Sequence, residues 1–409
     1  MNVEALSPNF QIFTRFGVWL PPEWSSRRRR LLYKTYSTFV TIMLYSMFIF
    51  QFIGVFGSIG NVNDLVESIY TSATVVNLGW KMFNLLEKRG DIVRLLGLLE
   101  TDVCQVQSRR EEEIQEKCNQ RIWNRTKFLC LFFETTCVTL ILTSIVKNIP
   151  DRSLPLKAWV PFNYVDGYFY WPVYLHQVLG LIYVGMIHAS YDTFVVGVML
   201  ILCSQLKILQ HRNSEMNLLK KRTPGAVVNP KILEKEFVMN SVKHHQLLQQ
   251  FAETFNNIII YVIFIQYSVS SFVTCVTAYK LVNLEAGDPE FAFTILYCSS
   301  MIIQTFFYCW YGNEVILESA NIGNSLYTSR WYSLETGTVR DVMMIMKKMQ
   351  HSMKFSCSPL FVLSVDSFKN VSSMGSRHEE ADLVRPHPRK SSDESRLVSF
   401  IHSLIVFAT

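Results

Sequence analysis

Phe291–Tyr311 reads FAFTILYCSSMIIQTFFYCWY and carries no charge. At 1.5 Å per residue, about 21 helical residues reach roughly 30 Å, the thickness of a bilayer's hydrocarbon core. Unpaired backbone amides are costly in lipid, so the stretch predicts a transmembrane helix. Phe291 and Phe293 open it, and Tyr308, Trp310 and Tyr311 close it, aromatic types that suit the two membrane interfaces. A buried helix of a soluble protein would have the same composition, but comparable stretches recur five more times along the chain.

The first of these, about Thr38–Ile59, is uncharged. The second, about Leu65–Leu86, has Glu67 and Lys81 near its ends, where they are expected to snorkel. The third, about Phe128–Val146, contains Glu134, read either as a functional acid or as the partner of a loop Lys or Arg. The fourth, about Tyr174–Leu206, holds His188 and Asp192 and is too long for one perpendicular crossing, so tilt or protrusion is expected. The fifth is about Ile258–Val282, and the opening stretch is the sixth. The predicted fold is an all-α polytopic membrane helix bundle with six clear spans and a truncated seventh.

Lys and Arg concentrate in the head and in the two long connectors, which places these and the N-terminus in the cytosol. Lys147, Arg152 and Lys157 in the outer loop between the third and fourth spans are the exception. The organisation is then a cytosolic head, 1–34, and a six-span bundle, 35–311, with helical cytosolic connectors at 87–127 and 207–257. A cytosolic segment follows at 312–357, a partial seventh span at 358–371, and an atypical Ser-, Arg- and Glu-rich tail at 372–409 that is expected to be disordered. Phe10, Phe13, Phe16 and Trp19 in the head recur near helical spacing, which suggests a helix along the membrane surface; the alternative is a disordered tail. His244 and His245 are assigned to a solvated helix face.

This orientation is opposite to that of receptors coupling to G proteins, and the Asp-Arg-Tyr and Asn-Pro-x-x-Tyr signatures of that class are missing. The net charge of +6 reflects basic residues held at the inner face, so no nucleic-acid partner is implied. The nine cysteines fall in apolar spans or in loops assigned to the reducing cytosol, so no structural disulfide is expected. No catalytic, phosphate-binding or metal-ligand motif stands out, and neither an enzyme nor a cofactor is predicted. The outer half of the bundle offers a ligand pocket instead, from Tyr70 and Thr71, Thr143, Tyr174 and Gln177, and Phe293 and Tyr297. Ordinary helix packing is the competing reading for each.

Tyr308-Cys-Trp-Tyr-Gly-Asn-Glu314, Tyr327-Thr-Ser-Arg-Trp331 and Ser358-Pro-Leu-Phe-Val-Leu-Ser-Val-Asp-Ser-Phe368 resemble the C-terminal motifs of the insect odorant receptor family. The resemblance covers about residues 1–371 and is most specific in this last part. It implies a seven-span, odorant-tuning subunit of a ligand-gated cation channel, assembled with a co-receptor subunit in the plasma membrane of olfactory sensory neurons. A small apolar odorant or pheromone would bind among the second, third, fourth and sixth spans. Trp331, Met343, Met346, Met349 and Met353 would belong to a cytosolic subunit anchor; packing is the plainer reading of the methionines. The chain departs from the family after Val371, where an apolar seventh span gives way to hydrophilic sequence, so no pore residue is carried over. That departure predicts poor assembly or the lack of a gate of its own. A gustatory-type receptor channel or a membrane transporter are the alternatives, although no internal repeat of the transporter kind is visible.

Overall fold

The computed structural model describes residues 4–21, 26–60, 62–162, 164, 168–215, 230–284, 287–358, 361–367 and 369. Among the described residues, six long helices carry the fold: α2 (Arg27–Gly57), α3 (Val62–Glu87), α5 (Arg109–Lys147), α6 (Tyr170–Ser214), α7 (Pro230–Asn283) and α8 (Pro289–Thr328). Three shorter ones, α1 (Ser7–Arg15), α4 (Arg89–Leu98) and α9 (Thr336–Met349), gather at one end of the bundle. We call this the connector end, and the opposite end the turn end.

Helix α6 is the axis of the bundle. Its central apolar window is 94% buried against 28% for α2, because Phe194–Ser204 is apolar or small on every side. Its 45 residues span about 68 Å, roughly twice a bilayer core, so it must extend beyond the lipid. Five of the six long helices are long and apolar enough to cross a membrane. Helix α3, which carries Asp64, Glu67, Lys81 and Glu87, is outside that set.

Local signals set the helix starts. Ser108 Oγ accepts from Glu111 N–H (3.3 Å) while Glu111 Oε2 accepts from Gln107 N–H (2.8 Å), a capping box for α5. Asp288 caps α8 by accepting from Glu290 N–H at 2.8 Å, with Pro289 in the first turn. Asp288 also receives the Lys147 ammonium at 2.6 Å, which holds its carboxyl below the usual range. Lys147 and Lys157 thus pair with acids at the turn end, Lys157 with Glu67 at 3.2 Å. Their presence in the one basic loop at that end reflects these ion pairs.

The head is helical and packed on α6, not a loose tail. Leu6 and Phe13 are fully buried, and Phe10 and Phe13 meet Phe194 of α6 edge-on. Asn9 Nδ2 donates to Ser190 O (3.0 Å) and Thr193 Oγ1 (2.6 Å), so one amide fixes the register of α1 on α6.

The segment after α9 is also different from the expected start of a helix. Ser356–Ser358 (β1) and Phe361–Val362 (β2) pair as a small antiparallel hairpin. Asn256 of α7 acts like a neighbouring strand, with Oδ1 accepting from Ser356 N–H (3.1 Å) and Nδ2 donating to Ser356 O (3.4 Å). Residues 365–367 then turn helical. The hairpin rests on Gly312, where a Cβ would lie 2.7 Å from Leu363 Cβ and 2.8 Å from its carbonyl oxygen. Two of the C-terminal sequence motifs therefore meet at this glycine. The remainder of the 358–371 segment and the 372–409 tail lie outside the described residues.

His244 and His245 are buried, not solvated, because α7 turns them toward neighbouring helices. His244 Nε2 donates to Gln205 Oε1 of α6 at 3.2 Å, while Nδ1 has no partner. Burial, with Arg212 and His245 adding, pushes the His244 pKa down to about 3. The unfolded chain therefore takes up a proton below pH 6.5 that the folded chain refuses, and stability falls with pH. Between pH 7.5 and 5.5 His244 alone should remove about 1.4 kcal/mol. Thermal unfolding of His244→Gln at the two pH values should show that share of the loss gone.

Candidate functional site

In the turn half of the bundle, five helices leave a chamber with about 80 Å³ of free space for the centres of water-sized atoms. Its walls are Gln51 of α2, Thr71, Thr74 and Val75 of α3, and Phe133, Thr136, Cys137 and Leu140 of α5. Helix α6 adds Leu181, Val184, Gly185 and His188, and α8 adds Phe293, Tyr297, Ser300, Met301 and Gln304. The threonine hydroxyls are turned back onto their own helices: Thr71 to Glu67 O (2.9 Å), Thr74 to Tyr70 O (3.1 Å) and Thr136 to Phe132 O (3.1 Å). Satisfied in this way, these residues offer an apolar wall.

Below the chamber, toward the connector end, lies a polar layer. His188 Nε2 donates to Thr74 O (3.2 Å), and Lys81 Nζ approaches His188 Nδ1 (3.1 Å). Lys81 pairs with Asp192 at 2.5 Å, and Tyr308 O–H donates to the same carboxylate at 2.6 Å. Alongside, Asn77 Nδ2 donates to Gln266 Oε1 (2.6 Å), and Gln266 Nε2 donates to Gln304 Oε1 (2.7 Å). The layer ties α3, α6, α7 and α8 together directly beneath the space.

Residues 61–374 match the family model described as 7tm Odorant receptor. The chain belongs to the 7tm odorant receptor family. Odorant receptor 46a isoform B of Drosophila melanogaster is 21% identical over 373 residues, 88% of this chain and 92% of that protein. Odorant receptor 94a of the same organism is 23% identical over 351 residues, 81% of this chain and 84% of the relative. The solved insect olfactory receptor OR5 from Machilis hrabei shares the fold, with a TM-score of 0.78 at 15% identity over 93% of this chain and 98% of that one. A structure of the same receptor in complex with eugenol gives a TM-score of 0.75 at 15% identity, over 91% and 96% of the two chains. Membership makes this odorant receptor a ligand-binding sensory protein rather than an enzyme.

Of the residues singled out in the sequence, Thr71, Phe293 and Tyr297 line the chamber. Tyr70 is buried behind them, its ring 5.3 Å from that of Tyr297, and Lys280 Nζ donates to its hydroxyl (3.4 Å). Thr143 donates to Pro289 O (3.2 Å) at the turn end, away from the space, and Tyr174 bonds the Ser144 hydroxyl (3.2 Å). Gln177 acts at one remove. Its amide accepts from Leu156 N–H (3.0 Å) and donates to Leu156 O (3.2 Å), holding the loop residue that helps close the chamber. Gln177 also borders a second hollow of about 170 Å³ beneath the α5–α6 loop. Its rim residues Phe162 and Phe169 are 47% and 60% exposed, and it opens outward between α2, the α5–α6 loop and the start of α6.

Two expectations for charged groups in this receptor are corrected. Lys81 does not snorkel: it is 0% exposed, and Asp192 and His188 hold it inside the bundle. Glu134 makes no ion pair with a loop base among the described residues. Its Oε1 is buried without a hydrogen-bond partner, against the bare backbone of Gly185, where a Cβ would lie only 2.8 Å away. Gln51, His188 and Gln304 are not among the residues singled out for the site, although each is a strongly polar side chain in a largely apolar span.

At the connector end, Met349 and Met353 are buried and Met346 packs on the core, while Met343 is 54% exposed. Trp331 is half-buried in a short 3₁₀ turn, Trp331–Ser333.

Proposed function

We propose that the chamber receives a small apolar volatile and that its occupancy gates a cation channel formed with a co-receptor subunit. The observation that carries this reading is a largely apolar chamber on five helices of an odorant receptor fold, with Phe133, Phe293 and Tyr297 in its wall. The fold neighbour solved in complex with eugenol supports it. Ligand binding would favour the open arrangement only through higher affinity for that state. His188 gives the chamber a direct hold on the Lys81–Asp192–Tyr308 cluster, and hence on the relative placement of α3, α6 and α8. In this reading the N-terminus and both long connectors face the cytosol, in the plasma membrane of olfactory sensory neurons. Trp331, the exposed Met343 and the neighbouring Met346, Met349 and Met353 belong to the surface that holds the subunits together.

The test is current recording with and without a co-receptor. Two forms are compared: the chain itself, and one carrying an apolar seventh helix after Val371. Odour-dependent cation current that requires the co-receptor, and is larger in the second form, is the expected result. Flux that persists without odour or co-receptor contradicts the proposal.

A further inference from the structure

Among the described residues that line the chamber, one side chain stands apart. Gln51 of α2 is fully buried, and neither its Oε1 nor its Nε2 has a hydrogen-bond partner. Most of the other polar groups there are engaged. The three threonines bond their own helix carbonyls, and Ser300 bonds Tyr297 O at 2.7 Å. Tyr297 donates to Tyr70 O at 3.2 Å, and both nitrogens of His188 are in contact with Lys81 or Thr74. Gln304 Oε1 accepts from Gln266. A buried amide with nothing to bond is unfavourable, and Gln51 offers both an unbonded donor and an unbonded acceptor to what enters a largely apolar space.

We propose that Gln51 is a specificity-determining residue that selects odorants bearing a hydroxyl group. This rests on the chamber being the odorant site. An amide presents a carbonyl acceptor beside an N–H donor. A hydroxyl is matched to both, since one oxygen accepts from Nε2 and donates to Oε1. An ether, ketone or ester accepts only and leaves Oε1 without a donor. A hydrocarbon leaves both atoms unpaired. A carboxylic acid could form the same two bonds, but it is ionised in neutral water, and stripping its charge of water for an apolar chamber is far more costly than dehydrating a hydroxyl. The selected class is therefore small neutral alcohols and phenols.

The test uses three probes matched in heavy-atom count: 1-hexanol, its isomer methyl pentyl ether, and heptane. Each displaces the fluorescent apolar dye 1-aminoanthracene from purified receptor in lipid nanodiscs, with empty nanodiscs as the blank. Wild type is compared with Gln51→Leu and Gln51→Met, two apolar replacements of similar length. The change in preference between proteins cancels each probe's own transfer from water, as in a double-mutant cycle. From wild type to either variant, the preference for hexanol over heptane should fall about tenfold or more, and that for hexanol over the ether by about threefold. If Gln51→Leu unfolds, Gln51→Met supplies the result. Unchanged preferences in a variant that still binds the dye overturn the role of Gln51 and leave the odorant site standing. Failure of all three probes to displace dye from wild type overturns the site itself, and this inference with it.

Discussion

Replacing Lys81 by methionine is expected to destabilise the receptor by about 3–5 kcal/mol. The ammonium is 0% exposed and Asp192 is 2% exposed, so no water is at hand to take over when one member is removed. Asp192 Oδ2 already lacks a hydrogen-bond partner, and Tyr308 would be the one described donor left to the carboxylate. His188 would also lose its contact with the ammonium. An apolar pair of similar volume removes both charges, and such exchanges are commonly neutral or favourable. The double variant Lys81→Met/Asp192→Leu should therefore recover most of the loss. Unfolding free energies of the two single variants and the double variant, measured in one detergent, give the cycle. A single variant as stable as wild type would show that the pair is not sealed from water.

The second large effect is on binding. Val184 is 7% exposed and faces the chamber from α6. Tryptophan in its place would put an indole into the chamber, in the room a volatile of comparable size would need. Displacement of 1-aminoanthracene by 1-hexanol should weaken by about a hundredfold or more, equivalent to about 2.7 kcal/mol or more of lost binding. Overpacking of this kind costs about 1–3 kcal/mol of stability, so the variant should still be a folded protein by its thermal transition. Val160→Trp fills the outward-opening hollow beneath the α5–α6 loop and is expected to leave hexanol binding unchanged. The reverse pattern would move the site to that hollow.

The helices were legible because lipid leaves a backbone few choices, so uncharged runs such as Phe291–Tyr311 read directly as spans. Which side of a span faces which neighbour was harder, for a physical reason. Periodicity gives a helix its phase only when one face is polar, and α6 has no separate polar face. Leu181, Val184, Gly185 and His188 thus carry no local mark that they share a chamber. Tyr70 and Thr71 are adjacent in sequence, but one helix step of about 100° sends the first behind the wall and leaves the second on it. Lys81 and Asp192 were visible as charges within spans, yet their partnership depends on a contact between α3 and α6 that pattern alone does not contain. The same holds for the head, where Asn9 needs the backbone of Ser190 to find its place. Gln51 is the instructive miss. A lone amide in the uncharged first span was a signal in itself, since a polar group in lipid requires a partner or a use.

The central claim is that the five-helix chamber is where the odorant sits. Photolabelling measures this directly. A diazirine derivative of 1-hexanol, irradiated with the receptor in nanodiscs and mapped by peptide mass spectrometry, should mark 133–140, 181–188 and 293–304, and excess 1-hexanol should suppress those marks. Labels concentrated at 158–173 in the second hollow, or labels that excess hexanol does not displace, would contradict the account.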